Sequence, residues 1–293
     1  MTLQPRKQRT IKAPCNISGR GYWTGRANTV SFLPAEENTG IRFVIDHVEV
    51  PATTEFSSGL ALRTRLGTQP AQLDMVEHVM AALYGLQIDN CRIECTANEM
   101  PGLDGSSLAV ALALNSAGIQ QQDAPRTTLV ISDEITVGDD DAWVKAQPVS
   151  HGGYEAEYQL LYPSDSPLPS ANFTCRVTPE TFSRDLAPAR TFVTRQEAEA
   201  LQAAGMASHV TYQDLLVFDH DGPIDNSLRF HDECARHKTL DLVGDLALCG
   251  VDLVGRFTAH KSGHQLNAKM AAKLRQLALA QMTGEPLSNR RAA

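Results

Sequence analysis

No stretch of this chain is long and apolar enough to span a bilayer, so stable membrane insertion is not expected. The first ten residues are basic, but no hydrophobic segment follows them, and no secretory signal is expected either. A basic excess is also missing. The 26 Lys and Arg stand against 34 Asp and Glu, for a formal charge of −8. An acidic surface repels a phosphate backbone, which argues against general nucleic-acid binding, while a local basic pocket for a diphosphate is compatible with that balance. Cysteine is sparse. Cys15, Cys91, Cys95, Cys175, Cys234 and Cys249 are scattered, and Cys91 and Cys95 lack the C-x-x-C spacing. Six reduced, mostly core thiols are expected, and with them a cytoplasmic protein. Neither H-E-x-x-H nor a short-period repeat occurs.

What the chain does have is length and an ordinary apolar content: 293 residues, 42% hydrophobic, enough for one large domain or two modest ones. In the first half, strands are expected at Thr29–Leu33, Ile41–Val44 and Asn90–Cys95. Helical spacing marks Asp74–Gly85, ended by a glycine, and Leu108–Ala117 follows the turn Met100–Ser107. The polar, proline-containing Gln121–Thr128 reads as a boundary. In the second half, strands are expected at Thr128–Ile131, Ile135–Val137, Ala142–Gln147 and Glu155–Leu161, with helices at Gln196–Ala204, Phe230–Leu248 and Asn267–Gln281. The tail after Thr283 is polar and reads as frayed. Strands followed by helices, twice, predict an α+β fold in two similar halves.

Three local patterns carry chemistry. On a helix, His237, Asp241 and Asp245 recur every four residues and share a face, and a His and an Asp one turn apart can hold one metal ion. Glu77-His78 lies in the first-half helix and can add a third ligand with a base beside it. Lys261-Ser262-Gly263-His264 opens the last helix, where free N–H groups favour an anion. Each has a plainer reading by itself: a solvated helix face, a half-buried histidine, a turn capped by a serine. Together they have a catalytic form. Two histidines and one aspartate leave a fourth position open on a tetrahedral zinc, and Glu77 and His264 supply an acceptor and a cationic partner that Asp245 can orient.

These residues bring a family with them. Glu77-His78, Gly85 to Asn90, Leu103-Asp104-Gly105-Ser106, Ala189-Arg190-Thr191-Phe192, His237 to Asp245 and Lys261 to Asn267 resemble, in order and over nearly the whole chain, the UDP-3-O-acyl-N-acetylglucosamine deacetylases of lipid A synthesis. The resemblance implies two α+β sandwich domains, at 1–122 and 127–283. Each is a mainly antiparallel sheet backed by two helices, with the helix pairs packed together and the active site between them. It further implies an acyl-passage insert near 193–222 and a flexible tail at 284–293. His78, His237 and Asp241 are the implied ligands of one zinc ion, a donor set that also accepts iron. Glu77 is the implied general base, His264 the acid and oxyanion partner, Asp245 its orienting carboxylate and Thr191 a hydroxyl donor. Lys238, Phe192 and Lys261 are the implied contacts to an acylated UDP-amino sugar. A monomer is expected, since nothing signals an oligomer.

The likeness departs in three places. Trp23 stands where the family usually has a histidine, Met206 to Val210 replace a Gly-Gly-Ser run in the insert, and Pro101-Gly102-Leu103 replace a more apolar tripeptide. Two other readings therefore stand beside the family enzyme. One is a deacetylase of another N-acetylated sugar nucleotide, and the other is a non-catalytic paralogue that keeps the metal. The helix at Gln196–Ala204, with Leu201 as its one large apolar group, can either line an acyl passage or merely pack on its own sheet.

Overall fold

The computed structural model describes residues 5–283. It is a mixed α+β fold whose two main sheets repeat one topology. The first runs Cys15–Arg20, Ala27–Pro34, Cys91–Cys95, Ile41–Ile45, Val48–Pro51. Its central pair, Ile41–Ile45 with Cys91–Cys95, is parallel and the remaining pairs are antiparallel. The second runs Ile135–Gly138, Trp143–Gln147, Asp252–His260, Tyr154–Leu160, Ala171–Arg176, again with a single parallel pair at the same place along this path. Thr128–Val130 adds to it in parallel beside Asp252–His260. In both halves the central strand is the last to enter. It is preceded and followed by a helix: α1 (Glu77–Gly85) and α2 (Leu108–Ala117) in the first half, α5 (Glu233–Ala247) and α6 (His264–Thr283) in the second.

Each half also leaves its sheet at the same point, between the outer strand and the first helix. The first excursion is the antiparallel sheet Ser57–Gly59, Thr64–Thr68, Ala71–Asp74. The second begins with the short helix α3 (Pro179–Thr181) and a π-helical turn, Phe182–Leu186. It continues as a βαβ unit. Phe192–Thr194 and Leu216–Asp219 pair in parallel across α4 (Arg195–Ala203), and Gly222–Pro223 closes the edge. A capping box starts α4. Thr194 accepts from the Glu197 N–H, and Glu197 accepts from the Thr194 N–H.

α1 and α5 cross at the centre of the molecule. Both are buried on nearly every side: Val79, Ala81, Ala82 and Leu83 of α1, and Leu240, Leu242, Val243 and Leu246 of α5, are at most 2% exposed. Burying one of these valines or leucines contributes about 1.5–3 kcal/mol. The closeness of the crossing depends on Gly244, where an added Cβ would lie 2.1 Å from the Glu77 carbonyl oxygen. At the far end of the crossing, Arg6 and Arg126 each reach both Asp89 of the first half and Asp252 of the second, tying the halves together.

Several elements differ from expectation. The helix read from Asp74 begins at Glu77, because Arg63 and Arg65 hold Asp74 in a strand and Met75 turns the chain at a positive φ of 66°. Most of the polar segment Gln121–Thr128 is strand rather than irregular connector. Ile119–Pro125 pairs with Lys7–Ile11, a ribbon whose outward residues need no apolar character. The nine-residue strand Asp252–His260 carries no sequence signal of its own. It is central and largely buried on both faces, so it lacks alternation. The last helix starts at His264, three residues earlier than Asn267. Ser262 is no helix cap, since its hydroxyl donates to the Asn267 side chain at 2.9 Å. All six cysteines are free, four of them buried. The tail at 284–293 lies outside the described residues. Among the described residues, no helix is long and apolar enough to cross a membrane.

Gly244→Ala should lower stability by about 1–3 kcal/mol, because the methyl meets backbone on the facing helix. Gly263→Ala, where nothing lies within 4 Å, is the control. Chemical denaturation of both variants checks this, and an unshifted Gly244→Ala midpoint would show that the crossing has slack.

Candidate metal centre and its cleft

The α1–α5 crossing brings His78, from the start of α1, against His237 and Asp241, one turn apart on α5. The two imidazole rings meet edge to face with centroids 4.9 Å apart. His78 Nε2 and His237 Nε2 each lie 3.4 Å from the same oxygen, Asp241 Oδ1. The ligand atoms of the three residues all fall within 4.8 Å of one another.

Their hydrogen bonds leave these atoms free to coordinate. His237 Nδ1 donates to the Ala189 carbonyl at 3.1 Å, which places the lone pair on Nε2. Burial pushes His237 down to about 3, so the ring is neutral at pH 7. Asp241 Oδ2 accepts from Lys238 Nζ at 2.8 Å, but Oδ1 is buried without any hydrogen-bond partner. A carboxylate oxygen so placed is costly unless something cationic completes it. Donors 2.0–2.1 Å from a tetrahedral zinc sit roughly 3.3 Å from each other, close to the 3.4 Å of the two His–Asp pairs. The residues present fit a divalent metal.

A second cluster adjoins the first. His264, the first residue of α6, has Nε2 4.0 Å from Asp241 Oδ2 and donates from Nδ1 to Asp245 Oδ2 at 2.9 Å. Burial opposes its charge, but Asp245 and then Glu77 and Asp241 outweigh that and hold it up at about 9. Glu77 is 2% exposed, and burial raises it above the usual carboxylate range against the pull of His264 and His78. Burial likewise works against Asp241, yet Lys238, His237 and His78 keep it well below that range.

Both clusters open on a cleft of about 790 Å³. The second-half excursion forms one apolar wall, including Val193, Ala198, Leu201, Val210 and Leu215, and Tyr22, Trp23, Leu62 and Met75 of the first half also line the cleft. α4 thus faces the cleft and does more than pack on its own sheet. Trp23 is fixed by its N–H to Glu99 at 2.7 Å and by its indole N–H to Met75 Sδ at 3.2 Å, with the Arg63 guanidinium 4.8 Å over the ring. Thr191 and Phe192 lie on the cleft wall. The Thr191 N–H donates to the Gly105 carbonyl at 2.8 Å, and the Phe192 ring stands edge-on to His237 at 6.3 Å. Lys238 is tied to Asp241, and Lys261, at the rim, pairs with Asp141 at 2.9 Å.

Sequence reasoning missed several supports. Thr64 touches Glu77, Asp245 and His264 of the second cluster, and Asn267 donates to Asp245 Oδ2 at 2.9 Å. Arg190 forms a buried ion pair with Glu233 at 2.8 Å, directly before Thr191. None has a local signature, because each acts across long sequence separations. A smaller cavity of about 240 Å³ lies at the far end of the crossing, where Arg6, Arg126 and Arg275 are already paired with Asp89, Asp252 and Glu55.

Comparison with known proteins agrees with this architecture. The family described as UDP-3-O-acyl N-acetylglycosamine deacetylase matches residues 8–276. The chain belongs to this family. A UDP-3-O-acyl-N-acetylglucosamine deacetylase of Anaeromyxobacter sp. (strain Fw109-5) is 37% identical over 272 residues, covering 91% of this chain and 88% of that protein. The protein of that name from Oleidesulfovibrio alaskensis is 38% identical, covering 89% of this chain and 86% of its own. The one from Brucella ovis is 37% identical, covering 91% and 94%.

Zinc at about 100 times its dissociation constant should stabilise the protein by about 2.7 kcal/mol. His237→Ala should lose both the bound metal and the stabilisation. Metal analysis with thermal unfolding checks this, and a His237→Ala protein that still holds zinc would place the metal elsewhere.

Proposed function

We propose that this chain is a cytoplasmic zinc-dependent deacetylase. It hydrolyses the acetamide of UDP-3-O-acyl-N-acetylglucosamine to acetate and the free amine, in lipid A biosynthesis. The observation that carries this reading is Asp241 Oδ1, buried and unpartnered between two imidazole nitrogens, at the wall of an apolar cleft. The names of the relatives supply the substrate class. The repeated sheet topology supports two domains, 1–122 and 127–283, and the insert at 193–222 supplies the apolar wall that an acyl chain needs.

His78, His237 and Asp241 would hold the ion. A divalent cation bound there supplies Lewis-acid polarisation of a carbonyl and a lowered pKa for water. Glu77 takes a proton from the attacking water, and its raised basicity, a consequence of burial, suits that task. His264 is an imidazolium at neutral pH. Its Nδ1–H is committed to Asp245, so Nε2–H serves the oxygen that gains charge and then protonates the amine nitrogen. A C–O bond forms, the C–N bond breaks, and the proton taken by Glu77 balances the one given by His264. The Thr191 hydroxyl is a further donor to that oxygen, a role typically worth on the order of 3 kcal/mol. Phe192 and Lys238 border the sugar, and Lys261 the diphosphate end.

Glu77→Ala should lower the rate of acetate release by about 10²–10⁴-fold while zinc content stays unchanged. Acetate release from the acylated UDP-sugar, measured across acyl lengths on zinc-loaded protein, is the test. No release from any of them would overturn the reading. A preference for an unacylated sugar nucleotide would turn it toward the divergent substrate that Trp23 and Met206 to Val210 suggest.

A further inference from the structure

We propose that Thr64 is a positioning residue, which holds the Glu77 carboxylate and the Asp245–His264 pair in one fixed arrangement. The proposal rests on the deacetylase reading for what the arrangement does, but its geometry stands apart from that reading.

Thr64 is 1% exposed and begins the middle strand of the first-half excursion, far in sequence from α5 and α6. The strand is anchored on both sides of it. Arg63 and Arg65 both pair with Asp74, and the Thr64 carbonyl accepts from the Met75 N–H at 3.0 Å, where the chain enters α1. From this fixed place it makes two further contacts. Its N–H donates to Glu77 Oε2 at 3.0 Å, which pins one carboxylate oxygen and so the plane of the group. Its hydroxyl donates to Asp245 Oδ1 at 2.5 Å.

The hydroxyl also supports the placement of the His264 proton that Asp245 sets. The one hydroxyl proton of Thr64 goes to Asp245, so its oxygen offers only a lone pair to His264 Nδ1, 3.3 Å away. Asp245 Oδ2, at 2.9 Å, is likewise an acceptor. Its other donor is the Asn267 amide, whose orientation is set by the Ser262 hydroxyl. Nδ1 therefore faces acceptors and carries a proton, and Nε2 is the ring atom turned to Asp241 and the cleft. Without the hydroxyl, Asp245 Oδ1 loses its donor in a buried site, and the carboxylate is held through Oδ2 alone, which loosens its orientation and that of the imidazole bound to it.

The test uses Thr64→Val and Thr64→Ser in the full chain. Valine keeps the size and the N–H to Glu77 but removes the hydroxyl; serine restores it. Thr64→Val should lower kcat by about 10- to 100-fold, the usual scale for a residue supporting a directly acting one, with KM close to wild type. Thr64→Ser should recover most of the loss, and all three proteins should bind the same amount of zinc. A second readout needs no turnover. In spectra of nitrogen-labelled histidine, the His264 Nδ1 proton should shift and exchange faster with water in Thr64→Val and return in Thr64→Ser. A wild-type kcat in Thr64→Val, an equal loss in Thr64→Ser, or an unmoved His264 signal would each overturn the proposal. If zinc-loaded wild type releases no acetate but the His264 signal still responds to Thr64→Val, the deacetylase reading fails and the positioning by Thr64 stands.

Discussion

The whole site depends on how closely two helices approach. α1 and α5 come from the two repeats of one topology, and they cross where α5 has no side chain at Gly244 and α1 presents the Glu77 carbonyl. This proximity lets a histidine on one helix share a carboxylate oxygen with a histidine on the other. It also places Glu77 beside groups more than 150 positions away. A helix pair with ordinary side chains at the contact stands about 8–10 Å apart, and glycine is the residue that permits the lower end of that range.

Around the crossing the chain buries an unusual set of charges. Glu77, Asp241, Asp245 and His264 are buried, with Lys238 half-buried beside them, and any of the buried charges alone would be strongly disfavoured there. They are held by mutual pairing. Lys238 offsets Asp241, and His264 lies against Asp245, which also accepts from Thr64 and Asn267. Asp241 Oδ1 is the fully buried atom of this set left without a hydrogen-bond partner. A buried carboxylate oxygen left between two imidazole nitrogens is compatible with a bound cation.

The two excursions from the sheets have different work. The first delivers Thr64 to the charged cluster, and its turn residues Arg63 and Met75 support Trp23 on the cleft wall. The second builds the apolar wall with α4, whose small side chains leave room rather than fill it. Both leave the sheets at equivalent points in the repeat, and both contribute residues to the lining of the cleft.

The sequence by itself determined the α+β class, the helices of both halves within a few residues, and the set His78, His237 and Asp241 that the fold brings together. Apolar spacing along a helix and a His–Asp pair one turn apart are local patterns, readable without a partner. It did not reveal the central strand Asp252–His260 or the strand within the polar connector. Burial on both faces erases alternation, and an outward ribbon needs none. Only the tertiary structure decided which oxygen of Asp241 stays unpartnered, that Lys238 is bound to it, and that Thr64 and Asn267 share Asp245. Each of these is a contact between groups remote along the chain, and its strength comes from exclusion of water, which exists only once the two helices have closed on each other.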